Sequence, residues 1–335
     1  MWRTGSRHLP TSPKPREKNE PEWKIQLQKS ADRLWKDARS SGIQKRHHLS
    51  SNATYVLSDA LQFLSALPAN SLHAIVTDPP YGKVEYEDKD LLKLRKGSGG
   101  IWRLPPAFDG AIRNPVPRFS ILSHSDLMYL ESFSAALAYS FLRVLVPGGH
   151  LIIASNPLLS TSTYGAIQAS GFEKRGEFIR LVQTLRGGAK PKGAERDFSE
   201  VAVMPRSCWE PWGIFRKPFQ GTMAINLRAW GTGGLRQVSS TEQLKDVITC
   251  PPTRPEERLM APHPSLKPQK FLRQIVRASL PLGIGIVCDP FAGSGSTLAA
   301  AESLGYRAIG TDRDNLYFDM SKMAFGKLST LIEKQ

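Results

Sequence analysis

From Ala53 onward the apolar positions change period again and again, and each change marks an element. Thr54–Ser58 (TYVLS) and His73–Thr77 (HAIVT) are short aliphatic, β-branched runs that predict buried strands, the first leading to Asp59 and the second to Asp78. Between them Ala60–Leu67 (ALQFLSAL) predicts a short helix. Asp126 to Leu145 carries apolar residues at helical spacing, and Val146–Ser155 (VPGGHLIIAS) is a glycine turn running into a strand. Gly171 opens a further strand through Gln183. After a long irregular stretch, Ser265–Pro281 has the pattern of an amphipathic helix. Gly285–Asp314 reads as strand, glycine turn, helix, strand, and Asn315 to Glu333 as a closing helix. Strands and helices that alternate in this way predict an α/β domain with a mostly parallel sheet covered on both faces.

Two segments stand outside that rhythm. Residues 1–50 form a basic extension, rich in Pro, Lys, Arg and Ser up to Pro21 and expected to be partly disordered. A helix is predicted from Glu22 to Ser40, where Trp23, Leu27, Leu34 and Trp35 share a stripe. Residues 186–262 are rich in Gly, Pro, Trp and Arg with little periodicity, and a stretch of that length inside a compact domain implies a function of its own. The catalytic domain is expected to span 51–335, with 186–262 inserted in it.

Composition narrows the partners. The formal charge is +15, from 45 Lys and Arg against 30 Asp and Glu. Such an excess fits a polyanion held through phosphate contacts, although a basic solubilising surface gives the same figure. In the irregular region Trp209, Trp212, Phe215 and Trp230 interleave with Arg186, Arg196, Arg206, Arg216, Arg228 and Arg236, a mixture suited to phosphate and base contacts. The three cysteines, Cys208, Cys250 and Cys288, are scattered and odd in number, so neither a disulfide framework nor a cysteine zinc site is expected, and no metal is expected at all. No apolar run reaches membrane-spanning length and the first residues lack the apolar core of a secretory signal, so a cytoplasmic protein without membrane contact is expected.

Three constellations carry candidate chemistry. Val287–Thr297 (VCDPFAGSGST) is a strand entering a turn with Gly293 and Gly295, then a small-residue helix; the glycines let backbone approach a ligand. It lacks the Gly-Lys-Ser/Thr end of a phosphate loop, which disfavours a nucleoside triphosphatase. Asp312 ends the next strand, where an acid of a βαβ unit meets the hydroxyls of a ribose; as an alternative it caps the following helix, a job Asp314 could also do. Ala74–Gly82 (AIVTDPPYG) places Asp78 at a strand end before two prolines and Tyr81. A carboxylate beside a rigid prolyl carbonyl offers two acceptors for one amino group, and the tyrosine offers a face for a planar base.

TDPPYG, then His263–Pro268 (HPSLKP), then DPFAGSGST, in that order, resemble the β-class DNA amino-methyltransferases that use S-adenosylmethionine. The resemblance runs from about Ala53 to the C-terminus. It implies a Rossmann-like methyltransferase fold, a mostly parallel twisted sheet with one antiparallel strand, a circularly permuted motif order and an inserted target-recognition region. It implies catalysis by Asp78, Pro79, Pro80 and Tyr81, and S-adenosylmethionine held by Asp59, His263, Lys267, Asp289, Phe291, Gly293, Gly295 and Asp312. The turn reads GSGST where threonine is commoner than Ser296, and Ser265 and Leu266 stand where threonine and glutamine are frequent. The implied reaction is methyl transfer to adenine N6 in double-stranded DNA on a flipped-out base, with cytosine N4 as the alternative. A cognate restriction endonuclease is an implied partner, and monomer and homodimer both stay open.

Other classes compete. A nucleic-acid-binding protein that has lost catalysis leaves the intact Asp78 turn without a purpose. An RNA or protein methyltransferase could use the same turn, and a nicotinamide dehydrogenase could share Asp312 but not Asp78 to Tyr81. In a cytosine-C5 enzyme Cys250 would be the nucleophile, yet its prolines follow it instead of preceding it.

Overall fold

The computed structural model describes residues 20–40, 45–81, 102–103, 116–117, 122–182, 191, 193–203, 205, 208–263 and 265–332. The strands are β1 (Arg46–His48), β2 (Ala53–Leu57), β3 (Leu72–Thr77), β4 (Trp102–Arg103), β5 (Val116–Pro117), β6 (Leu145–Ala154), β7 (Glu173–Leu181), β8 (Trp209–Arg216), β9 (Val247–Thr249), β10 (Ile286–Asp289) and β11 (Arg307–Asp312). The helices are α1 (Glu22–Ser40), α2 (Ala60–Ala66), α3 (His124–Val144), α4 (Ser160–Ala169), α5 (Met223–Trp230), α6 (Pro255–Met260), α7 (Gln269–Ser279), α8 (Ser296–Ser303) and α9 (Asn315–Ser329).

Among the described residues the main sheet has nine strands in the order β1-β2-β11-β10-β3-β6-β8-β7-β9. Its middle, β2-β11-β10-β3-β6, is parallel throughout. β8 runs against both β6 and β7, and β1 adds a short antiparallel edge to β2. The late strands β10 and β11 slot between the early strands β2 and β3, so the permuted motif order and a continuous sheet coexist.

Strand side chains alternate between faces, and both faces are buried. Val76, Ile152, Trp212 and Ile214 lie in one core with Phe271 and Ile275 of α7, Leu298 of α8 and Phe318 of α9. Ile75, Leu151, Ile153 and Phe215 lie in the other, with Phe63 of α2, Phe141 of α3 and Tyr164 and Ile167 of α4. This double burial explains the near-continuous apolar runs that mark β3 and β6 in the sequence.

The segment 186–262 is not irregular throughout. Trp209–Arg216 is a full strand of the central sheet, with Trp212 opposite Ala154 and Phe178, and Arg216 opposite His150 and Glu173. Its period is masked by Pro211 and Gly213, residues that usually break strands. Gly213 is required here: its N–H donates to the Tyr164 hydroxyl at 2.8 Å, and a Cβ would lie 2.9 Å from that ring. Trp212 and Phe215, expected among the nucleic-acid contacts, are core residues exposed by 1% and 0%. Arg216 is buried as well, bonded to Glu173 and to the Gly233 carbonyl and stacked on Phe219. Trp209, at the start of β8, and Arg196 and Arg228 remain exposed; Arg186 and Arg206 lie outside the described residues.

In the basic extension, α1 forms over the residues expected of it and buries Leu27, Ala31, Trp35 and Ala38. Arg307 of β11 reaches Asp32 of this helix at 2.5 Å. Residues 1–19 lie outside the described residues.

Replacing Trp212 with alanine removes a ring packed 5.2 Å from Phe271. A loss of about 3–5 kcal/mol in denaturant unfolding is expected, the cost of truncating a buried aromatic. A loss confined to nucleic-acid affinity would contradict its place in the core.

Candidate active site

In a parallel sheet every strand delivers its last residue to the same edge, where loops carry function. Four adjacent strands of this sheet end in acids. Asp78 follows β3, Asp289 ends β10, Asp312 ends β11, and Asp59 follows β2 by two residues. Thr77 Oγ1 donates to Asp289 Oδ1 at 2.6 Å and so ties the proline turn after β3 to the glycine turn.

Asp78 is half-buried. Its Oδ1 accepts from the Tyr81 hydroxyl, and its Oδ2 accepts from the Lys267 ammonium and, at 3.2 Å, from Ser265 Oγ. The turn itself rests on an apolar cleft in which Pro79, Pro80 and Tyr81 meet Leu130, Phe133 and Ile167. Burial raises the Tyr81 hydroxyl well above the ordinary phenol pKa, with the Asp78 charge adding to it, so the hydroxyl is a donor at neutral pH.

The glycine turn is bound at both ends. Asp289 Oδ1 also accepts the Phe291 N–H at 3.0 Å, and the Phe291 ring meets Phe133 edge-on at 6.3 Å. Gly293 has φ +50 and Gly295 φ +82, the left-handed region where a side chain is strained. A Cβ on Gly293 would lie 2.8 Å from His263 Nε2. The Tyr55 hydroxyl donates to the Gly293 carbonyl at 2.5 Å. Asp312 Oδ2 accepts the Gly293 N–H at 3.1 Å, while Oδ1 accepts the Asp314 N–H at 3.0 Å. Asp314 caps α9 through the Leu316 N–H, so the capping role is filled and Asp312 faces the glycine turn. Burial raises the carboxyl of Asp312, and that of Asp289 to about 6.

The segment before α7 spans both turns. His263 packs on Gly293 and on Tyr317, ring centroids 4.4 Å apart, and its Nδ1 accepts the Ser265 N–H at 3.2 Å. Burial, helped by the Lys267 charge, lowers the His263 pKa to about 4, which leaves it neutral at pH 7. Four residues later Lys267 reaches Asp78. The motif resemblance groups Lys267 with the methyl-donor residues; in the structure its ammonium is on the Asp78 carboxylate. Glu257 of α6, 3% exposed, fixes the segment by accepting the Gln269 N–H at 2.7 Å, and Gln269 Nε2 donates to the Ser296 carbonyl at 2.9 Å. Pro264 lies outside the described residues.

Asp59 is the outlier of the four acids. It is exposed and caps α2 by accepting the Leu61 and Gln62 N–H groups with Oδ1. Sequence reasoning missed Glu210, Arg180, Glu257 and Ser265. Glu210 accepts from Trp212 Nε1 at 3.0 Å and from Arg180 at 2.9 Å, and its Oε1 faces Lys267 at 3.4 Å. The pair Arg180–Glu210 is a cross-strand register pair of β7 and β8, a relation no local pattern displays. Cys250 is buried and burial raises its thiol pKa, the opposite of an activated nucleophile.

The edge therefore joins two acceptor sites. One is the glycine turn with Asp312, Asp289 and a neutral His263, a set of groups that fits a ribose-bearing cation such as S-adenosylmethionine. The other is Asp78 with the Pro79 carbonyl and the Tyr81 ring, a set that fits an amino-bearing planar base. Among the described residues no group of three or more His, Cys, Asp or Glu is placed to hold a metal, and no helix is long and apolar enough to cross a membrane.

The chain is similar to several known proteins. The model of the N6_N4_Mtase family, described as DNA methylase, matches residues 199–323, from before β8 through the glycine turn to α9. The type II methyltransferase M.HindIII of Haemophilus influenzae is 25% identical over 293 residues, covering 80% of this chain and 94% of its own length. Two solved structures share the fold. The PvuII cytosine-N4-specific DNA methyltransferase aligns with a TM-score of 0.55 and 15% identity over 85% of this chain and 89% of its own. The Thermus thermophilus protein TTHA0409, solved with S-adenosyl-L-methionine, aligns with a TM-score of 0.52 and 19% identity over 84% and 95%.

Asp289 gives a pH test. Its folded pKa of about 6 stands above its ordinary value of 3.8, so the folded protein binds the proton more tightly. Stability from this group is full below about pH 4 and is lost as pH rises through 6. Asp289→Asn keeps an acceptor for Thr77 and Phe291 without the charge. Its thermal midpoint should rise relative to the wild type between pH 4 and 6, with no further gain above; a difference independent of pH refutes the assignment.

Proposed function

We infer that this chain belongs to the S-adenosylmethionine-dependent DNA methyltransferases that modify adenine N6 or cytosine N4, and that its own target is adenine N6 in duplex DNA. The observation that carries the reading is the placing of Asp78-Pro79-Pro80-Tyr81 against the glycine turn by one segment, His263 touching Gly293 and Lys267 touching Asp78.

S-adenosylmethionine supplies an electrophilic methyl group on a sulfonium. Gly293, Gly295, Phe291, Asp289, Asp312 and His263 are the residues to hold it, with Asp59 at the margin. The protein's part at the other site is orientation. An exocyclic amine is a poor nucleophile because its lone pair is delocalised into the ring. Asp78 and the Pro79 carbonyl accept its two hydrogens, which turns the lone pair out of the ring plane and stabilises the positive charge that grows on nitrogen. Pro79 and Pro80 hold the acceptors rigid. The Tyr81 ring provides a stacking face, and its hydroxyl occupies one lone pair of Asp78 Oδ1, which leaves the other for the amino group.

An amine buried in a duplex is reached by flipping the base out. The net charge of +15 supports a DNA backbone as partner. The acid at the head of the catalytic turn favours adenine, since serine is commoner there in cytosine-N4 enzymes. Similarity to a type II methyltransferase supports a matching restriction endonuclease as a partner.

Expression in a methylation-free host, with modified bases mapped by long-read sequencing, tests the function. N6-methyladenine at one recurrent sequence is expected; N4-methylcytosine replaces the adenine reading, and unmodified DNA overturns both. Asp78→Ala should abolish turnover while calorimetry still detects donor binding; near-normal turnover rules out this site. Cys250→Ser should keep its methyl-transfer activity, and loss of it with the fold intact reinstates a cysteine nucleophile.

A further inference from the structure

The Asp78 carboxylate is the end of a chain of charges that runs back into the sheet. Lys267 sits on its Oδ2 and faces Glu210 Oε1 at 3.4 Å; Glu210 Oε2 holds Arg180 Nη1 at 2.9 Å, and Arg180 Nη2 holds the Pro251 carbonyl at 3.2 Å. The signs alternate along Asp78, Lys267, Glu210 and Arg180, and the four side chains are exposed by only 17%, 13%, 20% and 6%. Charges so far from water are costly unless each has a partner, and removing one strands its neighbour. Burial works against the Lys267 ammonium, but Asp78 and Glu210 outweigh it and raise its pKa above the ordinary lysine value.

The two oxygens of Asp78 are not equivalent. Oδ2 accepts from Lys267 and from Ser265, which fills both of its lone pairs; Oδ1 accepts from the Tyr81 hydroxyl. A cation on a carboxylate also drains its power as an acceptor, unless a second anion shares that cation. Glu210 is placed to do so, and Trp212 Nε1 and Arg180 fix its orientation.

We propose that Glu210 and Arg180 are positioning residues for methyl transfer: they fix Lys267 between two carboxylates, so that Asp78 presents Oδ1 to the amino group of the target base and keeps the negative charge that the developing ammonium needs. This rests on the methyltransferase reading above and deepens it. Neither residue touches the base or the methyl donor. Their effect passes through Lys267, and so it belongs to the rate of transfer and not to donor binding.

The test is Glu210→Gln, which removes one negative charge at nearly constant size; its single carbonyl oxygen still accepts from Trp212 Nε1, while its amide nitrogen no longer accepts from Arg180. Rates are taken per donor-binding molecule, so any unfolded fraction drops out. With Glu210→Gln, kcat should fall about 10-fold, while the donor Kd and the KM for DNA stay within about twofold, a size typical of coupling between charged neighbours. Lys267→Met should lower kcat as well, and adding Glu210→Gln to it should bring no further loss. The proposal is overturned if Glu210→Gln turns over within about twofold of the wild type, if donor binding falls in step with kcat, or if its loss persists in full beside Lys267→Met. Should the wild type itself transfer no methyl group to DNA, the methyltransferase reading falls first; an active wild type with an indifferent Glu210→Gln removes this inference alone.

Discussion

An acid withdrawn from water must be given donors, and the carboxyl edge of the central sheet is built around that requirement. Asp78 and Asp289 lie side by side at the ends of β3 and β10, and Thr77 Oγ1 spans from one strand's turn to the other strand's acid. Asp78 draws its donors from Tyr81, Ser265 and Lys267; Asp289 draws its own from Thr77 and Phe291. Satisfying the two carboxylates therefore pulls the proline turn, the glycine turn and the segment before α7 into one place. The same bonds that offset part of the desolvation also align the parts of the site.

The electrostatics divide by scale. The chain as a whole is strongly basic, yet its sheet edge is lined by Asp59, Asp78, Asp289 and Asp312. Long-range attraction through the net charge suits a polyanion, whereas the short-range field of the edge suits a compact cation and an amino group. Close to the site, Lys267 is prevented from cancelling Asp78 by having Glu210 on its other side.

What can be read from the sequence is local chemistry. The strand ends at Asp78, Asp289 and Asp312, the glycine turn and the helices α1, α3, α7 and α9 each have a signal within a dozen residues, and the structure places them as expected. What cannot be read is pairing at a distance. β8 hides behind Pro211 and Gly213, which interrupt the apolar run that marks β3 and β6, and its glycine answers to Tyr164 from another element. The aromatic and basic mixture of 186–262 has the composition of a surface, yet Trp212, Phe215 and Arg216 face the interior. Lys267 is found through its motif, but its partners Asp78 and Glu210 are supplied by β3 and β8, which the motif does not contain.

The strand order carries a consequence for how the molecule is made. β2 and β3 are made before their neighbours β11 and β10, which follow β4 to β9 in the chain and must insert between them. Until β10 and β11 have been made, two apolar strands therefore wait with unpaired edges, the condition that invites mispairing in nascent chains. Closing them is a long-range event of high contact order, which makes it slow. An incomplete chain carries the proline turn without its lysine or its glycine loop, so activity and final assembly arrive together.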